Sequence, residues 1–529
     1  MSDGGADVVE HGRGRGEVAT TPGWQLAALF VVALLPLFST PLLPFIDFYN
    51  HLARYHVLAH LADSAFLQQF YASRWALLPN IGLDVIGTAL LKVVPAWAAG
   101  HVIAVLILAT QYAGVLYFHR ALTGRVSLLV AVLMVPLLYS YILNWGFSNF
   151  LFGLGLAFAA AGWWLRHRGW RGVLLASLFA LAIFFTHAFA FALYGLLLGS
   201  LELGYLWMAR ERRPLAWTRA LAPVAVQAVL PALLFVLTAT AKSTEGLTNA
   251  DEAITRLRAK GALLQRVLDL AWYRLETIVR VAEGPSFAAD ALWFAAVAAL
   301  VGLLLWRGRL AVVRLAWPAL AVGLLLTVVI PPTLFAVGFV ADRVPLYVAL
   351  LFVAGLEPRR AARGIERGVE AALAVLVALR LLSIAWSWQG YARTYPEFEV
   401  VAAAIPPGSL VNQLMVGGAE QAARVPRCGM YAPLLITNYG QVVSLFADPA
   451  KQPLAEVGAL AAGVAAMPAD RGVLTGIDAD FYDGFLRSLH DARRFDYVLI
   501  CNADRLPRAL PAFAPIVART AHFAVVRLR

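Results

Sequence analysis

Apolar runs of about twenty residues recur along this chain, and that is the length a helix needs to cross roughly 30 Å of hydrocarbon. They fall at about 24–43, 98–118, 126–143, 145–165, 173–188, 189–208, 216–240, 288–306, 310–330, 341–356 and 369–389. The stretch 173–208 is too long for one helix and divides at Thr186-His187. Composition agrees: 61% of the 529 residues are apolar and 14% charged, with a mean hydropathy of +0.72, where soluble domains carry roughly a quarter charged residues. The pattern predicts an α-helical polytopic membrane protein with about eleven transmembrane helices. A short polar tail, residues 1–23, precedes the first run, which lacks a small-residue cleavage site and reads as a retained span.

The charges between the runs set an orientation. Arg120/Arg125, Arg166/Arg168/Arg171, Arg210/Arg212/Arg213/Arg219, Arg307/Arg309/Arg314 and Arg359/Arg360/Arg363/Arg367 occupy every second loop, and Arg13/Arg15 lie on the tail. Positive loops stay on the cytoplasmic side, so the N-terminus is expected inside and the C-terminus outside the inner membrane of a bacterial cell. The net charge of +11 is then accounted for by topology, and nucleic-acid binding has no support. The same alternation places 44–97, the turn at Asn144, the turn at His187, the loop 241–287 and the loop 331–343 on the external side.

The first external loop, 44–97, carries the densest chemistry. In Pro44-Phe-Ile-Asp-Phe-Tyr-Asn-His-Leu-Ala-Arg54, a helix puts Asp47, His51 and Arg54 at i, i+4 and i+7, on one face. Pro79-Asn80-Ile-Gly-Leu-Asp84 follows, leading into an amphipathic tail, and the loop reads as two short interfacial helices. The loop 241–287 interleaves Arg256, Arg258, Lys260, Arg266, Arg274 and Arg280 with Leu263, Leu264, Leu268, Trp272 and Tyr273, a pattern suited to anionic headgroups. His56 and His60 have the spacing of a zinc pair on a helix, but no third ligand stands at a diagnostic spacing. No cofactor is indicated, a divalent metal is unsupported, and no phosphate loop of the ATP-binding type is present.

Residues 390–529 return to ordinary composition. Ser409 to Val416, Leu434 to Ile436, Tyr497 to Cys501 and Phe523 to Leu528 read as short strands, giving a small extracytoplasmic α/β domain. Both cysteines, Cys428 and Cys501, fall here, where an oxidising compartment permits a disulfide and two buried free thiols are the alternative. The expected domains are the tail 1–23, the membrane domain 24–389 and the external domain 390–529.

These features together resemble the GT-C superfamily of membrane glycosyltransferases, which use polyprenyl-phosphate-linked sugars. More narrowly, Asp47-Phe-Tyr-Asn-His-Leu-Ala-Arg54, Pro79-Asn80 with Asp84, Asn144-Trp-Gly-Phe-Ser-Asn-Phe150, Thr186-His187 and Leu445-Phe-Ala-Asp-Pro-Ala-Lys-Gln-Pro453 are similar to a group of bacterial polytopic proteins placed near that superfamily. GT-C enzymes often pair two acids in the first loop; here Phe48 and Tyr49 follow Asp47. The resemblance implies a sugar transferase acting at the external membrane face on a polyprenyl-phosphate-linked donor.

Such a transfer needs a base for the acceptor proton and donors for the departing phosphate. Asp47 is the candidate base, with capping of the helix or pairing with Arg54 as its duller alternatives. His51 either orients Asp47 or binds substrate, with helix packing at the interface as its duller alternative. Arg54 and Arg343 have the forked guanidinium that suits phosphate, and Asn50, Asn80, Asp84 and His187 complete the substrate-binding candidates, with Asp84 in reserve as the acid. A transporter or flippase and a non-catalytic scaffold are the rival classes; the sequence shows no clear internal repeat and few mid-span charges. If the transferase reading holds, Asp47, His51, Arg54, His187 and Arg343 converge on one cavity open to lipid.

Overall fold

A computed structural model describes residues 20–168, 170–238, 263–334, 338–416, 431–445, 451–465, 473–474, 479–506 and 510–529. Six helices among them are long and apolar enough to cross a membrane: Ala96–Thr123, Ser148–Arg166, Ala188–Met208, Pro214–Leu237, Phe287–Trp306 and the run beginning at Ile365. Each of the other apolar runs also contains helix, but in three of them the helix is broken or starts late. Pro36 divides the first into Gly23–Ala33 and Leu35–Phe38. Pro136 sits in the 3₁₀ turn Val135–Leu138, which separates Leu128–Met134 from Tyr141–Asn144. Proline has no N–H to give to a helical ladder, so a purely apolar run can be cut without losing hydropathy. The run 310–330 likewise opens as a strand, Leu310–Val312, paired antiparallel with Leu356–Pro358, before the helix Trp317–Val329 starts.

Packing separates an inner from an outer set of helices. Ser148–Arg166 is buried along most of its length and packs on Ala96–Thr123. A Cβ added at Gly155 would stand 2.6 Å from the backbone nitrogen of Gln111, so this pair approaches backbone to backbone as small residues permit in membranes. Pro214–Leu237 instead exposes Val226, Val229, Leu230, Leu233 and Val236, and Ile365–Ala392 exposes Val375, Leu379, Leu382 and Trp386. Large apolar side chains left uncovered on long helices suit hydrocarbon as the surrounding solvent.

The first loop is not a free linker. It folds into the helices Phe48–His60 and Gly82–Leu91, and the first is buried on nearly every face. Of the expected basic external loop, 241–262 lies outside the described residues; the remainder forms the helix Leu263–Val279, which exposes Val267, Leu268, Leu270, Trp272 and Leu275.

The C-terminal part holds a mixed sheet. Its strands run in the order Val442–Val443, Leu410–Val416, Tyr497–Cys501, Phe523–Arg527 and Ile516–Arg519, with Val473–Leu474 parallel to the end of Leu410–Val416. The first three are parallel and the last two antiparallel. Leu434 to Ile436, expected as a strand, belongs to the helix Leu434–Tyr439, which follows Pro433 and stops at Gly440 in the left-handed conformation. Three apolar residues fit either period, and here the flanking proline and glycine decide. Cys501 is disulfide-bonded; the other cysteine of the sequence, Cys428, lies outside the described residues.

A second, smaller ladder ties this part to the first loop: Tyr71–Ser73 pairs antiparallel with Leu454–Glu456. Backbone bonds extend it at both ends, from Arg74 to Pro453 at 2.7 Å and from Val457 to Phe70 at 2.8 Å.

Candidate active site

The face of Phe48–His60 that carries Asp47, Asn50 and His51 opens on a cavity of about 750 Å³. Asp47 precedes the helix without capping it, so its carboxylate is left to other partners. Its Oδ2 lies 3.2 Å from His51 Nε2, and its Oδ1 accepts from Asn50 at 3.2 Å. The side chain of Asp47 is 42% exposed, toward the cavity that it lines. Burial alone would raise its pKa, but contact with His51, then the Arg54 charge and the Asn50 bond, hold the carboxyl below the ordinary range.

The turn 144–149 fixes where Asp47 stands. The carbonyls of Asn144 and Trp145 accept from Ile46 and Asp47 at 2.9 and 3.0 Å. Gly146, the next residue, has φ +81°, and a Cβ there would lie 2.5 Å from the nitrogen of Phe48. Only glycine takes that conformation at that distance without displacing the loop. Asn149 then secures the second half of the loop, accepting from Leu83 N at 3.0 Å and donating to the Asn80 carbonyl at 3.2 Å. Trp145, Phe147 and Asn149 also line the cavity.

The opposite wall brings a different pair. His187 caps Ala188–Met208, its Nδ1 accepting from Phe189 N at 3.1 Å. Because Nδ1 accepts this bond, the ring proton is on Nε2. That N–H stands 3.5 Å from Nη1 of Arg343, which is itself a donor. Arg343 is 3% exposed, lies over the rings of Phe147 and Phe150 at 4.6 and 5.2 Å, and makes no ion pair among the described residues. The neighbouring Asp342 is turned away, accepting from Tyr273 at 2.8 Å. Among the described residues, these two donors face one another with no acceptor between them.

Not every expected residue lies on the wall. Asp47, Asn50, His51, Asn80, His187 and Arg343 line this one cavity; Arg54 and Asp84 do not. Arg54 sits behind His51 and is buried, donating to Asp84 at 2.5 Å, to Gln452 at 2.6 Å and to His51 Nδ1 at 2.6 Å. Its guanidinium is committed to protein acceptors, which removes it from phosphate binding. Asp84, fully buried, is its counter-ion, so the reserve acid has no access to the cavity. His60 Nδ1 bonds the His56 carbonyl at 2.9 Å, and among the described residues no group of three or more His, Cys, Asp or Glu is placed to hold a metal.

The cavity grades from polar to apolar. Phe184 of Trp170–Thr186, Phe191 and Ala192 of Ala188–Met208, and Ala232 and Phe235 of Pro214–Leu237 line its apolar side. Sequence reasoning gave Lys451 and Gln452 no role, yet Lys451 lines the cavity and Gln452 reaches Arg54; the signal was their place in the segment Leu445 to Pro453, of which 446–450 lie outside the described residues.

The apo structure of ArnT from Cupriavidus metallidurans superposes on this chain with a TM-score of 0.51, covering 96% of this chain and 98% of that one at 14% identity. The two chains share a fold over nearly their whole length. ArnT from the same organism bound to undecaprenyl phosphate gives 0.50 over the same shares, also at 14% identity. The arabinofuranosyltransferase AftD from mycobacteria gives 0.42 at 14% identity, covering 97% of this chain but 40% of its own. No family model and no curated protein matches the sequence. Within this shared fold, the cavity is built where the first loop, the turn at 144–149, the cap at His187 and the start of Val340–Ala354 meet.

Proposed function

We propose that this protein is a membrane glycosyltransferase that moves a sugar from a polyprenyl-phosphate-linked donor to a hydroxyl acceptor at the external membrane face. The observation that carries this reading is the facing pair of donors, His187 Nε2 and Arg343 Nη1, 3.5 Å apart and lining the same cavity as a carboxylate. A buried guanidinium without a counter-ion is costly. A phosphate oxygen accepts from both groups at once, with the charge-assisted bonds that suit it. The apolar side of the cavity, from Phe184 to Phe235, suits a prenyl chain and the polar side a sugar.

The chemistry follows from the two walls. The acceptor hydroxyl gives its proton to Asp47 as its oxygen bonds the anomeric carbon. The bond from that carbon to the phosphate oxygen breaks, and its electron pair leaves with the polyprenyl phosphate. His51 and Asn50 hold the two carboxylate oxygens so that the base is presented in one orientation. Arg343 and His187 meet the negative charge that grows on the phosphate. Asn80 and Lys451, which line the same cavity, are assigned to sugar hydroxyls on this reading.

Transfer from radiolabelled polyprenyl-phosphate-linked pentoses and hexoses, measured in nanodiscs, tests the assignment. Asp47→Asn is expected to elute and melt like wild type while losing about 10²–10⁴ in rate. Undiminished transfer by Asp47→Asn would remove Asp47 as the base, and labelled product carried across sealed vesicles without transfer would favour transport.

A further inference from the structure

Arginine offers only donors. The 2.6 Å contact between Arg54 Nη2 and His51 Nδ1 therefore needs a lone pair on Nδ1, and the proton of the neutral imidazole falls on Nε2, the atom 3.2 Å from Asp47. The order Arg54, His51, Asp47 thus has one consistent direction of donation, ending on the cavity carboxylate.

What holds Arg54 comes from two distant places. Asp84, fully buried on Gly82–Leu91, takes Nε at 2.5 Å and Nη2 at 3.3 Å. Gln452 takes Nη1 at 2.6 Å from 398 residues away in the chain. Gln452 is placed by the ladder that begins just after it, Leu454–Glu456 on Tyr71–Ser73, together with the bond from Arg74 N to the Pro453 carbonyl. The Tyr71 hydroxyl donates to the Val443 carbonyl at 2.7 Å, fastening the same strand to the mixed sheet.

We propose that Gln452 is a positioning residue for the transfer: with Asp84 it holds Arg54, Arg54 sets the tautomer of His51, and the C-terminal part thereby orients Asp47. This rests on the transferase reading for its kinetic consequence but not for its structural one. The C-terminal part is then a component of the active site, and a shift of its ladder is felt at the base. Burial explains Asp84 without any such role, since a buried guanidinium demands a counter-ion. It does not explain Gln452, because a neutral amide adds little stability and a water can replace it.

The test compares Gln452→Leu with Gln452→Glu, which keeps an oxygen toward Arg54. Nitrogen-15 spectra of histidine-labelled protein, with the His51 signal assigned from His51→Gln, report the tautomer without reference to turnover. The wild type is expected to show the Nε2–H form and Gln452→Leu to lose it or exchange between forms. In transfer assays Gln452→Leu should lose about tenfold or more in kcat with KM for the lipid donor within about twofold, and Gln452→Glu should recover most of that loss. An Nδ1–H form in the wild type, or Gln452→Leu that keeps both tautomer and kcat, overturns the proposal. If Gln452→Leu does not fold, a Gln452→Glu protein with a lost tautomer or a tenfold lower kcat overturns it equally. The expected tautomers in a wild-type protein that transfers no sugar would sink the transferase reading and leave the coupling of Gln452 to His51 standing.

Discussion

At the scale of single residues, the site divides into groups that touch the cavity and groups that hold those groups in place. Asp47 is held low in pKa chiefly because contact with His51 overcomes the effect of burial. A base must be unprotonated, and a group held below its usual value of 3.8 stays so through the mildly acidic range. The acid limb of kcat/KM is therefore expected below about pH 4 in the wild type. His51→Gln weakens the contact that lowers the pKa and leaves burial, which raises it, so the limb should move upward in pH. An unmoved limb would separate His51 from the base. The i, i+4 spacing of Asp47 and His51 made their contact legible in the sequence, as did the ionisable residues at span ends, His187 and Arg343. The partners of Arg54 were not legible: Asp84 lies 30 residues away and Gln452 lies 398 away. No local period encodes separations of that size, and an arginine next to an acid and a histidine on a helix face reads equally well as a ligand.

At the scale of elements, the turn 144–149 does more than close a helix. It presents two carbonyls to the loop that carries Asp47 and both polar ends of Asn149 to the loop that carries Asn80. Gly146→Ala forces a left-handed non-glycine and a Cβ 2.5 Å from Phe48 N. The left-handed strain alone costs on the order of 1–3 kcal/mol. The expected outcome is a lower melting temperature in detergent together with reduced transfer, since the displaced loop is the one that carries Asp47, the proposed base. A variant with wild-type melting and turnover would show that this approach is not needed. Hydropathy located the helices because it requires only length and apolarity. It missed their breaks at Pro36 and Pro136 and the strand Leu310–Val312, because proline and short paired strands leave hydropathy unchanged.

At the scale of the whole molecule, the sequence pointed to a membrane part and an external part, and the structure joins them. The ladder between Tyr71–Ser73 and Leu454–Glu456 crosses that division, and the cavity takes its walls from both sides of it. This union was beyond the sequence, which shows composition changing near residue 390 but not which loop the C-terminal part covers. On the proposed transferase reading, the same union lets an acceptor meet a lipid-borne donor: the cavity has Lys451 of the C-terminal part on its wall and is apolar toward Pro214–Leu237, whose outer face is uncovered. The most direct measurement is an electron cryomicroscopy structure in nanodiscs with undecaprenyl phosphate added. Phosphate density is expected between Arg343 and His187, with the chain leaving past Phe191 and Phe235. Phosphate bound elsewhere on the protein, with this cavity empty at saturating lipid, would contradict it.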